Sequence, residues 1–198
     1  SMFAWQFARM LYRADALGLR RFVTMQNHYN LIYREEEREM NPLCREEGIG
    51  LLPWSPLARG FLSGSRTRDD QQPTVRARTD DFAQSMYYQE MDFAIVDRVQ
   101  AMAGQCGATP AQVAIAWLLR MPELSSVITG ATRVEQLEEN LASTGFVEKL
   151  TSEILAQVDA AIQGFILPDP RMVGLDDPAR NSRIKFDDLG QARRHGCR

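Results

Sequence analysis

Apolar positions along the chain recur with two periods, and the switching between them predicts the elements. Phe3, Phe7, Met10, Leu11 and Leu17 return at roughly helical spacing, which predicts a helix over Met2–Leu19 with Gly18 at its end. The run Phe22-Val23-Thr24-Met25-Gln26 predicts a short strand. A charged helical stretch follows from Arg34 to Glu47, stopped by Gly48. Pro42 interrupts it, so it reads as two pieces, the second capped by Asn41 with Pro42 at its first position. Ile49-Gly50-Leu51-Leu52 predicts a second strand, closed by Pro53-Trp54-Ser55-Pro56. Residues Gly60 to Asp81 carry few apolar side chains and predict a long mobile loop, of the kind that usually serves a function. A helix is expected from Gln84 to Gly107, burying Met91, Ile95, Val99 and Met102. Thr109-Pro110 is an N-cap followed by a first-turn proline, opening an apolar helix over Ala111–Arg120. Ser125-Ser126-Val127-Ile128 predicts a third strand. Thr132 is expected to cap a helix through Leu141, and Thr151 a last one through Ile162. From Pro168 to Arg198 the chain is rich in Asp, Arg, Gly and Pro, which predicts a disordered or loosely attached tail.

Strands separated by helices imply parallel βαβ units and an α/β fold. Three parallel strands leave two unpaired edges, which is unusual for an independent domain. In parallel βα folds, ligands sit beyond the C-terminal ends of the strands. Those ends carry Gln26-Asn27-His28-Tyr29-Asn30, then Trp54-Ser55-Pro56-Leu57-Ala58-Arg59-Gly60, then Thr129-Gly130-Ala131-Thr132-Arg133. All three are rich in amides, hydroxyls, aromatics and Arg. The opposite ends, Leu19-Arg20-Arg21, Glu47-Gly48 and Glu123-Leu124, are plainer. The asymmetry points to a site at one end of the strands.

Composition narrows the classes. The chain has 198 residues, 44% of them apolar, and a formal net charge of −3, which suits a globular domain with a sizeable core. No apolar run approaches the roughly 18 residues of a membrane-spanning helix. The first residues, Ser1-Met2-Phe3-Ala4-Trp5, show no basic segment or cleavage site of a secretory signal. Mild acidity argues against a nucleic-acid surface. Cys44, Cys106 and Cys197 are odd in number and lack metal-ligand spacing, so neither a disulfide framework nor a metal site is expected. The expected compartment is the reducing cytosol, making the protein cytoplasmic.

The third strand end makes the clearest physical case. Gly130 and Ala131 let backbone approach a ligand, and Thr132 opens a helix whose N-terminus favours an anion. Arg133 adds a bidentate phosphate partner. Gln136, Glu139 and Asn140 fall on related faces one turn on, where amides and a carboxylate could hold an adenine edge. The alternative is an ordinary capped helix with a solvated polar face, and composition alone does not separate the two. Trp54 at a strand mouth could stack on a flat heterocycle with Gln26 bonding an amide, or be a core or rim aromatic. His28, beside Tyr29, reads more readily as a satisfied structural histidine than as a site residue. Arg34-Glu35-Glu36-Glu37-Arg38-Glu39 reads as a solvated helix face with i,i+3 and i,i+4 pairs. Cys44 reads as a small core residue and Tyr33 as a packed rim aromatic.

Several ordered motifs are similar to those of the aldo-keto reductases, in particular the bacterial branch that also resembles potassium-channel β subunits. They are Gln26-Asn27-His28-Tyr29-Asn30-Leu31, Pro42 to Gly50, Trp54-Ser55-Pro56-Leu57-Ala58-Arg59-Gly60-Phe61-Leu62-Ser63-Gly64, and Gly130-Ala131-Thr132-Arg133-Val134-Glu135-Gln136-Leu137-Glu138-Glu139-Asn140. The resemblance covers about Ser1 to Phe165. It implies a (β/α)8 TIM barrel, of which the three strands would be about the sixth to eighth, with their helices. Residues 1–167 would be the C-terminal part of the barrel and 168–198 the tail. It also implies an extended nicotinamide dinucleotide bound without a Rossmann turn. Gln26 would hold the nicotinamide carboxamide and Trp54 would stack on its ring. Ser55, Leu57, Arg59 and Gly60 would line the pyrophosphate. Gly130, Ala131, Thr132 and Arg133 would surround the adenosine phosphate, with Gln136, Glu139 and Asn140 on the adenine side. An Arg near the ribose phosphate would favour NADP over NAD, and the Gly60–Asp81 loop would cover the cofactor.

The family's acid–base set, an Asp, a Tyr, a Lys and a His, has no counterpart in this chain, so no catalytic residue is assigned. The expected function is the cofactor-gripping part of an NADP(H)-dependent carbonyl reductase acting on a small aldehyde or ketone. The competing reading is a non-catalytic nucleotide-sensing or assembly subunit, its open barrel edges completed by a partner chain or by a second copy in a homo-oligomer. Length bears on the choice: a complete (β/α) barrel takes about 250 residues.

Overall fold

In the computed structural model the described residues are 2–64, 66, 68 and 86–162. The chain divides into two units, Ser1–Gln163 and Gly164–Arg198, and every described residue lies in the first. The expected tail, 168–198, and most of the expected 60–81 loop therefore lie outside the described residues.

Helix α1 spans Ala4–Ala16 and buries Phe7, Leu11 and Ala14. Its start is fixed by the Gln6 side chain, whose Oε1 accepts from the Phe3 N–H at 3.3 Å. Phe3, Met10 and Leu17, counted from the pattern toward the apolar face, are exposed at 71%, 41% and 53%. The stripe that packs is thus narrower than the stripe of apolar residues. Strand β1 is Thr24–Met25 and strand β2 is Gly50–Leu51, paired in parallel with Thr24 opposite Gly50 and Met25 opposite Leu51. Between them runs a 3-10 turn, Glu35–Glu37, and helix α2, Met40–Glu46. Gly48, with φ of 66°, supplies the left-handed turn that ends this segment.

The expected cap of α2 needs correction. The helix begins at Met40, so Asn41 lies inside it and Pro42 is its third residue, where a backbone N–H has no helical acceptor to lose. Asn41 is instead buried, and its Oδ1 accepts from Asn27 Nδ2 at 3.2 Å, tying α2 to the end of β1. The first core cluster, Phe7, Leu11, Met25, Met40, Cys44, Ile49 and Leu51, joins α1, β1, α2 and β2.

The third predicted strand exists as two parallel bridges, Leu51 with Leu124 and Trp54 with Ile128. Three steps along one side match four along the other, so the 124–128 segment carries an extra residue, as in a β-bulge. The Ser125 and Ser126 N–H groups both point to Leu51 O, at 2.9 and 3.4 Å. A Cβ at position 50 would overlap the Ser125 hydroxyl, which would have to swing aside, so glycine lets the two segments approach closely. The spatial order is β1, β2, then the 124–128 segment, as chain order predicts for successive βα units.

Helix α3 is Glu90–Cys106 rather than starting near Gln84. Its start is fixed by Asp92, whose Oδ2 accepts from the Gln89 N–H at 2.9 Å, and Tyr88 before it sits at φ 77°. Ile95, Val99 and Met102 are buried as expected, but Met91 is 37% exposed, because Phe93, Val96 and Ala103 complete the packed face instead. Helix α4, Pro110–Leu119, opens on the expected cap: Thr109 Oγ1 accepts from Gln112 N at 3.2 Å and Gln112 Oε1 accepts from Thr109 N at 3.0 Å. Helix α5 is Val134–Leu141, followed by a 3-10 segment, Ala142–Lys149, and helix α6 is Ser152–Ile162 with Thr151 Oγ1 accepting from Ile154 N. No described helix is long and apolar enough to cross a membrane.

Candidate functional site

Beyond β1 and β2 the parallel register continues into a pairing of His28 with Trp54, closed by Trp54 N donating to Asn27 O at 2.9 Å. Paired positions share a face. The His28 and Trp54 rings accordingly stack with centroids 4.2 Å apart, 15° from parallel. Tyr33 stacks on the imidazole as well, at 4.3 Å and 19°. His28 is therefore sandwiched, and only 4% of it is exposed.

Asn30 builds this arrangement locally. Its Oδ1 accepts from Ile32 N at 2.9 Å and Tyr33 N at 2.8 Å, an Asx-type turn that brings Tyr33 back over His28. Its Nδ2 donates to Ser55 O at 3.0 Å and approaches the Tyr87 hydroxyl at 3.3 Å. That hydroxyl lies 2.7 Å from His28 Nε2. The Nε2 of a neutral imidazole can accept from this hydroxyl, and Asn30 Nδ2 lies 3.3 Å from the same Nε2. Burial, and then the charge of Arg59, push the His28 pKa down to about 4, which keeps it neutral at neutral pH. Burial likewise raises the hydroxyls of Tyr33 and Tyr87.

The segment after Trp54 is strained. Ser55, Ala58 and Arg59 hold φ of 58°, 47° and 57°, and Gly60 follows at 96°. Non-glycine residues in this region cost free energy and concentrate at functional sites. The turn is held by Arg59 N donating to Ser55 Oγ at 3.1 Å and by the fully buried Phe61 and Leu62. Arg66, 3% exposed, donates from Nη2 to Arg59 O at 2.8 Å, while its Nη1 is buried with no hydrogen-bond partner among the described residues.

The third strand end differs from expectation. Thr132 does not cap α5: Arg133, extended at φ −139°, is the N-cap residue. Gln136 reaches back instead, its Oε1 accepting from Thr132 N at 3.0 Å and Thr132 Oγ1 at 3.1 Å. The Thr132 hydroxyl is thus spent donating to Gln136 and accepts from no first-turn N–H among the described residues. Gly130, Ala131, Thr132 and Arg133 are all exposed, and nothing lies within 4 Å of a Cβ at Gly130. The Trp54–Ile128 bridge sets this turn beside the end of β2.

The residues read from the sequence thus fall into two groups. Gln26 is exposed just past β1, and Trp54, Ser55, Leu57, Arg59 and Gly60 form one half-buried segment. On α5, Gln136 and Glu139 are half-buried, Glu139 O accepts from Gln112 Nε2 at 3.3 Å, and Asn140 is buried. Sequence reasoning did not single out Asn30, Arg66 or Tyr87. The Asx spacing before Ile32-Tyr33 was a usable signal for Asn30, whereas Tyr87 meets His28 from 59 positions away and carries no local signal. A groove of about 490 Å³ opens between the start of α1 and residues 33–40, and it is lined by none of the predicted cofactor residues.

The charged run is in part the solvated face expected, with Glu35, Arg38 and Glu39 exposed and Arg38 paired to Glu35 three positions away, but its other side turns inward. Arg34 pairs with Glu37 at 2.6 Å and Asp159 at 2.8 Å and lies over the Trp117 ring, while Glu36 is buried with its pKa raised by desolvation. Cys44 is fully buried, and desolvation pushes its thiol up to about 11, which suits a core residue and not a nucleophile. Among the described residues, no group of three His, Cys, Asp or Glu is placed to hold a metal ion.

The sequence profile of the aldo/keto reductase family matches residues 4–163. The chain belongs to the aldo/keto reductase family. The family's (β/α)8 architecture agrees with the parallel pairing and helix-rich build of this aldo/keto reductase chain. It is 41% identical over 159 residues to the versiconal hemiacetal acetate reductase of Aspergillus parasiticus, covering 77% of this chain and 44% of that protein. It is 41% identical over 148 residues to the aldo-keto reductase dtxS3 of Metarhizium robertsii, covering 73% and 38%. It is 37% identical over 158 residues to an Arabidopsis thaliana protein named "Probable voltage-gated potassium channel subunit beta", covering 76% and 47%. The chain thus spans less than half the length of each of these relatives.

Proposed function

We propose that residues 1–167 form the C-terminal part of an aldo/keto reductase barrel, about strands six to eight with their helices, and that this part grips NADP(H) in the cytoplasm. The observation that carries the reading is the Trp54–Gly60 segment. A half-buried indole stands at the strand mouth, and a strained left-handed turn follows it. Behind that turn lies the buried Arg66 guanidinium, whose Nη1 has no partner among the described residues. That donor set suits a flat heterocycle followed by an anion.

In this reading Gln26 holds the carboxamide and Trp54 orients the nicotinamide ring. Ser55, Leu57, Arg59 and Gly60 line the pyrophosphate. Gly130, Ala131, Thr132 and Arg133 surround the adenosine phosphate, with Gln136, Glu139 and Asn140 toward adenine. Because Thr132 occupies Gln136 Oε1, Gln136 turns its amide N–H₂ to the ligand. The bound dinucleotide supplies the hydride that reduces the carbonyl carbon of a small aldehyde or ketone.

The proton does not come from the tyrosines or the histidine near this mouth. Tyr29 donates to Glu37 at 2.6 Å and its pKa is raised by burial, Tyr33 is raised by burial, and His28 is neutral. This chain therefore grips cofactor and does not protonate substrate. Titration of the purified chain with NADPH is expected to give binding that Trp54→Ala removes, with no aldehyde-dependent NADPH oxidation. An absence of binding would sink the reading; steady aldehyde reduction by this chain alone would sink its division of labour.

The relative named as a potassium channel subunit beta favours a second reading, a non-catalytic nucleotide-sensing or assembly subunit. Binding of NADPH by a discrete oligomer, measured by size-exclusion with light scattering, would favour it.

A further inference from the structure

We propose that His28 is a positioning residue for Trp54: a neutral imidazole platform, locked by Tyr87, that fixes the plane of the indole. The proposal rests on the reading that Trp54 receives the nicotinamide ring, but its geometric part stands without it.

A tryptophan side chain has two rotatable bonds, and what packs against the indole chooses between its rotamers. Here the choice is made by stacking. The imidazole lies 4.2 Å from the indole, close to parallel, and covers one of its faces. The platform itself cannot tilt, because Tyr33 stacks on it at 4.3 Å. It cannot rotate in its plane without losing the 2.7 Å bond between Tyr87 Oη and Nε2. Asn30 then links the assembly to the strained turn through Ser55 O at 3.0 Å. A charged imidazolium would require the Tyr87 hydroxyl to turn and accept from Nε2. Among the described residues, the groups set against the ring by these contacts are Trp54, Arg59, Tyr33, Tyr87 and Asn30, and none is a carboxylate. The chain thus holds a flat, uncharged ring beneath Trp54, and Tyr87 connects it to the segment that precedes α3.

The test uses the whole chain with His28→Ala, His28→Phe and Tyr87→Phe, each checked for retained far-UV circular dichroism. With NADPH as probe, His28→Ala is expected to weaken binding about three- to tenfold, the equivalent of losing one aromatic stack. Tyr87→Phe should weaken it by about two- to threefold, and His28→Phe, which keeps a flat ring, should rescue most of the loss. The cofactor-free readout is the near-UV signal of Trp54, defined by difference against Trp54→Phe in each background. It should shrink strongly in His28→Ala and recover in His28→Phe. Affinity unchanged by His28→Ala in a chain that binds NADPH overturns the proposal and leaves the cofactor reading intact. If the parent chain binds no NADPH, the cofactor reading fails, and an unchanged Trp54 signal in His28→Ala then overturns the positioning role as well. A loss that His28→Phe does not rescue overturns the stacking argument in favour of a merely space-filling one.

Discussion

Two strand mouths of this chain carry equally suggestive sequence, and the fold treats them in opposite ways. Around β1 and β2 the polar and aromatic residues are gathered into one buried assembly, with Asn27 and Asn30 fully buried and His28 nearly so. At the 124–128 segment the turn Gly130–Arg133 stands in solvent, and its best hydrogen bonds are those between Thr132 and Gln136. The difference follows from pairing. The first mouth continues a regular parallel register, so side chains from neighbouring strands meet face to face. The second follows a bulged segment in which one extra residue breaks that continuity. The first is therefore built by its own side chains, and the second is left in solvent.

The sharpest way to break this contrast is to remove the residue that assembles the first mouth. Asn30→Ala strands Ser55 O and the N–H groups of Ile32 and Tyr33 in a partly buried setting, and should cost about 1–3 kcal/mol in urea unfolding. A loss under about 0.5 kcal/mol would show that the assembly is decoration.

A second test uses acidity. The folded-state pKa of His28 is lowered to about 4 from an ordinary value of 6.5, so between these values the unfolded chain binds more protons. Its contribution is fully present above pH 6.5 and is lost as pH falls toward 4. Glu36 and Asp92, both raised by burial, act in the opposite direction. The difference between the parent chain and His28→Gln isolates the histidine. The parent should lose stability relative to the variant as pH falls through that window, and parallel curves would refute the neutral platform.

The smallest effect belongs to the second mouth. Arg133→Ala should alter unfolding by no more than about 0.5 kcal/mol, because the side chain is exposed at a helix N-terminus that disfavours a cation. NADPH affinity should nevertheless fall, with a shallower dependence on salt. A large stability loss would mean that this mouth is also prebuilt.

Much was legible locally. The Thr109–Gln112 capping box, the Gly48 stop and the order of strands and helices follow from spacing and turn chemistry that act within a few residues. The motif segments that placed the chain in its family are likewise contiguous stretches of sequence. Where local rules competed, the longer-range partner won. Asn41 lost its capping role to the contact with Asn27, Glu36 was drawn inside, and Met91 was displaced from the buried face by Phe93 and Val96.

The sequence by itself determined which residues could do chemistry at each strand end, because backbone periodicity assigns them to one end of parallel strands. Only the tertiary structure decided which of them act together. Tyr87 reaches His28 across 59 positions, and Trp54 finds its platform on a neighbouring strand. Stacking and buried hydrogen bonds of that kind depend on distances of a few ångströms that no spacing along the chain encodes.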